Sequence, residues 1–196
     1  MNKKSSKLLK RKSIRLKNFD YSSQGLYFIT ICVHNRVCLL GDISNIDNPV
    51  GAIHESPDSA IHESPVMVLN KYGMIVKKHW QSLPNRFPIL LDKYIIMPNH
   101  IHGIIHIINR AHRDAPLRGH KRSVLSQCVG YFKMNTAKQI NILNKTPGQH
   151  LFQRNFYEHI IRNENDLNEI REYIKNNPQM WDRDRDNPAK SGIANK

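Results

Sequence analysis

Acidic residues are scarce in this chain. Sixteen Asp and Glu stand against thirty Lys and Arg, leaving a formal charge of +14. An excess of that size repels itself unless a polyanion shares it, which favours nucleic acid or an anionic surface as partner. Charge alone does not separate an enzyme from a ribosomal or structural binder. Cysteine is scarce too. Cys32, Cys38 and Cys128 make an odd count with no CxxC pair, which excludes a cysteine zinc cage. They read as reduced, buried thiols of a cytosolic protein. Long apolar runs are also missing: the stretch from Gly103 to Ile108 is far too short to span a bilayer. The basic N-terminus lacks the apolar segment of a signal peptide. A cytoplasmic, nucleoid-associated protein with no membrane partner is expected.

What is present suffices for one globular domain: 196 residues, 39% of them hydrophobic. Residues 1–17 hold eight Lys or Arg and no acid, so residues 1–20 read as a basic arm. A solvated tail would have the same composition. The domain proper is expected over 21–181. Within it, 42–66 reads as a variable loop insertion. That loop contains a short duplication, Ala52-Ile53-His54-Glu55-Ser56-Pro57 and then Ala60-Ile61-His62-Glu63-Ser64-Pro65. One repeat of eight residues is too small for a solenoid unit. Residues 182–196 are polar, alternate in charge and read as a disordered tail.

Strands are expected at Leu26 to Val33, Leu90 to Met97, His100 to Ile108 and Phe152 to Arg162, where aromatic and β-branched residues gather. A helix capped by Asn70 runs to Leu83, with Pro84 stopping it. A longer one, from Ser123 to Leu143, carries Leu125, Val129, Phe132, Thr136, Ile140 and Leu143 as its apolar stripe. A last helix begins after the N-cap Asn163 and ends at Asn177, because a proline disfavours helical dihedrals in the residue before it. The order β-α-β-β-α-β-α predicts an α+β, ferredoxin-like (RRM-like) split βαβ fold. Its four-stranded antiparallel sheet would carry two helices on one face, plus an extra C-terminal helix.

Chemistry concentrates in two places. Residues two apart on a strand point the same way, so His100 and His102 project side by side. Two adjacent imidazoles can hold one divalent ion, although a bare HxH pair also occurs as two hydrogen-bonding histidines. His106 shares that face but lies too far along for the same ion. On the last helix Leu167, Ile170 and Ile174 form the buried stripe, and Tyr173 and Asn177 emerge together one turn apart at its edge. Asn177 offers a carbonyl oxygen suited to a hard ion. Tyr173 offers a nucleophilic oxygen, or is simply an amphipathic rim residue.

His100-Ile101-His102 resembles the HUH motif, and Tyr173-Ile174-Lys175-Asn176-Asn177-Pro178 resembles the YIxxNP signature of REP-associated tyrosine transposases, relatives of the insertion-sequence-200 type. The likeness extends through Arg11 to Leu16, Tyr27 to Thr30, Met97 to Gly103, Gly130 to Lys133 and Arg154 to Asn163. It implies that His100, His102 and Asn177 bind Mg²⁺ or Mn²⁺ and that Tyr173 is the nucleophile. The product would be a 5′-phosphotyrosine and a free 3′-hydroxyl. The implied partner is single-stranded or hairpin DNA, bound by a monomer or homodimer. The repetitive loop departs from the family's pattern. The family members nearest this pattern also tend to be domesticated, so mobility does not follow from the likeness.

DNA contacts are expected from Lys10, Arg11, Lys12, Arg15 and Lys17 on the arm, from Arg118, Lys121 and Arg122 in a basic loop, and from Lys133 and Lys138 on the long helix. About six to ten phosphate contacts would weaken binding roughly a thousandfold between low and moderate salt. Tyr131 and Lys138 share a helix face, where stacking plus charge would suit single strands, although a plain exposed face fits the pattern as well. The alternative is a noncatalytic RRM-like module, but the stacking aromatics of that platform are missing from the His100 strand. A relaxase or replication initiator is disfavoured by the short chain.

Overall fold

A computed structural model describes residues 24–44, 64–108 and 123–190. The basic arm with Lys10, Arg11, Lys12, Arg15 and Lys17, most of the duplicated segment, and the loop with Arg118, Lys121 and Arg122 lie outside the described residues.

The strands are β1 (Gly25–Cys32), β2 (Gly41–Ser44), β3 (Val66–Leu69), β4 (Ile89–Ile96), β5 (His100–Ile107) and β6 (Tyr157–Ile161). The helices are α1 (Lys71–Gln81), α2 (Val124–Asn144) and α3 (Glu164–Asn176). Four strands form one antiparallel sheet in the order β4-β5-β1-β6. This is the expected α+β architecture, compatible with a ferredoxin-like fold.

Strand alternation divides the interior in two. Tyr27, Ile29 and Ile31 of β1 and Ile101, Ile105 and Ile107 of β5 face one way. They meet Val76 and Trp80 of α1 and Leu125, Val129, Phe132 and Ile140 of α2 in the main core. Gly103 belongs to this face. A Cβ there would run into the Trp80 indole, so only glycine lets α1 settle on the strand. The intervening residues face the other way. Phe28 and Ile104 join Ile161, Leu167 and Ile174 in a smaller cluster that seats α3. The sheet is therefore covered on both faces.

The helix caps follow the sequence. Asn70 accepts from the amides of Tyr72 and Gly73, Ser123 from Ser126, and Asn163 from Asp166. Leu143 is half exposed and drops off the expected α2 stripe.

Several expectations are corrected. The 42–66 segment is not all loop, because its ends pair as the β2–β3 ribbon, Gly41 to Ser44 against Leu69 to Val66. Gly41 makes the ribbon possible: with φ at 144°, any Cβ would strike the Val68 carbonyl. The amides of Leu39 and Leu40 both donate to the Pro98 carbonyl at 2.9 Å, tying the ribbon's base to the Pro98–Asn99 turn. The polar stretch from Asp182 is ordered as far as 190, in 3-10 turns at Trp181–Arg183 and Pro188–Lys190. Asn177 keeps helical dihedrals (φ −57°, ψ −40°) despite the following proline. The helix ends because Pro178 cannot donate. Strand β6 begins at Tyr157, later than expected, and Phe152 makes only an isolated bridge to Val33. Of the three free thiols, only Cys128 is fully buried, and Cys38 is exposed.

Candidate active site

The β5 histidines sit on the α3 face, as their even register requires. His100 pairs opposite Cys32 and His102 opposite Thr30 in the β1 ladder. Their ring centroids are 4.4 Å apart. His106 lies four residues further along β5, opposite Leu26.

Two different supports hold the two rings. The Nδ1 of His100 lies 2.8 Å from the side-chain oxygen of Asn99. The Nδ1 of His102 lies 2.8 Å from the Thr30 hydroxyl, and its Nε2 lies 3.2 Å from the Tyr173 hydroxyl. Phe28 stacks on His102 at 5.4 Å and meets Tyr173 edge-on at 6.0 Å. Phe28 and Thr30 are alternate residues of β1, so one strand edge lines the site. Burial pushes both imidazole pKa values down, His102 further than His100 because its neighbour's charge adds to the effect. Asp184 and Asp186 pull His100 partly back. Both rings are therefore neutral at pH 7, the form in which imidazole can be a ligand.

Helix α3 brings Tyr173 onto this face. Leu167 and Ile174 anchor it in the smaller cluster. Arg171 clamps it to the edge strand through a bidentate pair with Asp92, at 3.0 and 2.6 Å. A second polar tie joins Asp166 to His159 of β6 at 3.1 Å. Tyr173 itself is 49% exposed. Burial and then the Asp184 charge push its phenol pKa up, with the Asn177 side chain opposing, so the hydroxyl keeps its proton at neutral pH.

The C-terminal segment completes the site. Asp184 and the two histidines each offer a ligand atom, all within 4.8 Å of one another, so the three could hold a metal ion. Two imidazoles and a carboxylate on one side of an ion suit divalent first-row metals. Among the described residues, His100 Nε2 and Asn177 Oδ1 are buried and have no hydrogen-bond partner. A buried lone pair without a partner is costly, and an ion held by the two histidines and Asp184 would relieve that of His100 Nε2. The donor set fits a divalent cation.

The structure thus gathers His100, His102 and Tyr173, with Asn177 beside the phenol. Sequence reasoning missed Thr30, Phe28 and Asp184. The first two were visible in the alternation of β1, which sets Phe28 and Thr30 opposite the core residues. Asp184 had no local signal, since distant partners position it.

The expected DNA contacts on α2 fare less well. Lys133 is turned inward, donating to the carbonyls of Gln153, Arg154 and Asn155 at 2.7, 3.3 and 3.0 Å. It braces the loop before β6, and burial brings its pKa down to about 8. The Arg86 guanidinium lies over the Tyr131 ring at 4.7 Å and Phe87 meets the ring in an edge-type contact at 5.6 Å, so the half-buried ring is already partly occupied by its own chain. Lys138 is exposed, but α2 lies across the sheet from the histidines.

No protein-family model matches the chain. No helix among the described residues is long and apolar enough to cross a membrane. A solved structure of a REP-associated tyrosine transposase bound to a REP hairpin is similar in fold, with a TM-score of 0.52 and 16% identity, over 84% of this chain and 73% of that one. In sequence, the chain is 37% identical over 183 residues to an uncharacterized protein of Haemophilus influenzae, covering 89% of this chain and 91% of that protein. The chain therefore belongs to the same protein family as this Haemophilus influenzae protein, and it is built on a fold shared with a tyrosine transposase.

Proposed function

We propose that the protein is a transposase-like, single-tyrosine endonuclease and strand transferase acting on single-stranded DNA that folds into hairpins. The observation that carries this reading is the 3.2 Å approach of the Tyr173 hydroxyl to His102 Nε2, which unites two motifs 71 residues apart. The transposase fold likeness and the +14 charge add to it.

His100, His102 and Asn177 would hold Mg²⁺ or Mn²⁺, with the Asp184 carboxylate as a further oxygen. Such an ion screens phosphate charge and polarises a non-bridging oxygen. The chain's own residues do the rest. Tyr173 attacks phosphorus from an exposed helix edge, where a DNA strand can reach it. The Oη–P bond forms, the P–O3′ bond breaks, and the phenolic proton ends on the departing 3′-hydroxyl. One phosphodiester replaces another, so rejoining needs no nucleotide. Phe28 and the Arg171–Asp92 clamp fix the phenol, which is catalysis by positioning. His102, with the Thr30 hydroxyl at Nδ1 and the Tyr173 hydroxyl at Nε2, holds the phenol beside the residues that would bind the ion.

The test is incubation of the full chain with end-labelled hairpin DNA and Mn²⁺ or Mg²⁺, followed by denaturing electrophoresis. A covalent adduct is expected from the wild type and none from Tyr173→Phe, with DNA binding retained. Binding without an adduct under either metal would favour the noncatalytic module.

A further inference from the structure

Asn99 precedes the first histidine and has no role in the chemistry above. It is fully buried. Its amide nitrogen donates to two backbone carbonyls, Arg36 at 2.9 Å and Asp186 at 2.7 Å. Carbonyls only accept, so both N–H bonds are committed and the side chain has one possible orientation. Its oxygen must then be the atom facing His100 Nδ1 at 2.8 Å. An amide oxygen only accepts, so His100 must carry its proton on Nδ1. The remaining lone pair falls on Nε2, the buried atom with no hydrogen-bond partner. His102 differs. Both its neighbours are hydroxyls, of Thr30 and Tyr173, and a hydroxyl can donate or accept.

We infer that Asn99 is a positioning residue that locks the His100 tautomer for metal binding and makes that lock depend on the docked C-terminal segment. The same segment is held by Arg36, whose guanidinium bonds the Arg185 carbonyl at 3.2 Å and pairs with the Asp186 carboxylate at 2.9 Å. Arg36 is itself in left-handed backbone (φ 56°). The three-residue turn at His34–Arg36, the tail and the metal histidine are thus joined through one buried amide. The geometry stands independently of the DNA chemistry, and only its consequence for the ion rests on the proposed function.

The test uses the full chain labelled with ¹⁵N-histidine, free of metal, at a pH where both rings are neutral. Long-range ¹H–¹⁵N spectra should show the His100 proton on Nδ1. Asn99→Leu should move that proton to Nε2 or mix the two forms, and weaken Mn²⁺ binding in calorimetry roughly tenfold or more. Asn99→Asp keeps the acceptor and removes both donors. It should keep the His100 proton on Nδ1 while backbone amide exchange at 184–187 speeds up. A wild-type proton on Nε2, or Asn99→Leu with an unchanged tautomer, overturns the inference. If Asn99→Leu fails to fold, the wild-type and Asn99→Asp spectra decide. A tautomer that follows Asn99 without any DNA adduct would sink the proposed nuclease alone. An adduct with a tautomer indifferent to Asn99 would sink this inference alone.

Discussion

The two faces of the sheet are built from the same strands and do different work. Toward α1 and α2, β1 and β5 present Tyr27, Ile29, Ile31, Ile101 and Ile105 to a buried apolar core. Toward α3 they present Phe28, Thr30, His100 and His102, and the helix rests on a handful of apolar side chains and two polar ties. One face holds the main core and the other gathers the candidate site. Period-two alternation lets a single strand serve both, because neighbouring residues never compete for the same side.

Substitutions on the two faces should separate stability from activity. The largest expected effect is on the chemical face: Tyr173→Phe should abolish the DNA adduct while changing unfolding free energy by less than about 0.5 kcal/mol. Urea titration beside the nicking assay would show whether the two properties separate. On the other face, Phe132→Ala should cost about 3–5 kcal/mol. DNA nicking at a temperature where the variant remains folded should change little. Ile174→Ala, under α3, should cost nearer 2 kcal/mol yet impair nicking more, because it loosens the helix that carries the phenol. If Phe132→Ala harms nicking of the folded protein as much as Ile174→Ala does, the faces are not independent.

Gly103→Ala comes next, since the new methyl meets the Trp80 indole. A loss of about 1–3 kcal/mol is expected from overpacking, read as a lower thermal midpoint. The smallest effect is electrostatic. The hydrogen bonds from Arg171 hold the Asp92 carboxyl below its ordinary value. A lowered folded pKa adds stability above the unfolded value of about 3.9, and that stability is lost as pH falls through the folded value. Asp92→Asn should therefore lower stability slightly across the neutral range, where the pair is intact, leave the acid end unchanged, and so flatten the fall in stability below pH ~4. Acid titration followed by circular dichroism would measure it.

Much of this division was legible from local pattern. The caps Asn70 and Asn163 and the alternation in β1 and β5 report their structure within a few residues. The i, i+4 spacing of Tyr173 and Asn177 also placed both on one helix edge. What escaped depends on distant groups. The β2–β3 ribbon is four residues a side and sits at the ends of a polar stretch. Residues 182–190 look like a tail in composition, yet Arg36 and Asn99 hold them from 149 and 87 residues away. Lys133 looked like a phosphate contact because its spacing says nothing of the three carbonyls that claim it.

In the proposed reaction the Tyr173 phenol takes up DNA phosphorus. Proteolysis of the covalent adduct and mass spectrometry of the nucleotide-bearing peptide would test it most directly. The expected result is a 5′-phosphoryl nucleotide on Tyr173. Attachment to the exposed Tyr157, which also lies against Phe28 at 6.3 Å, would contradict it.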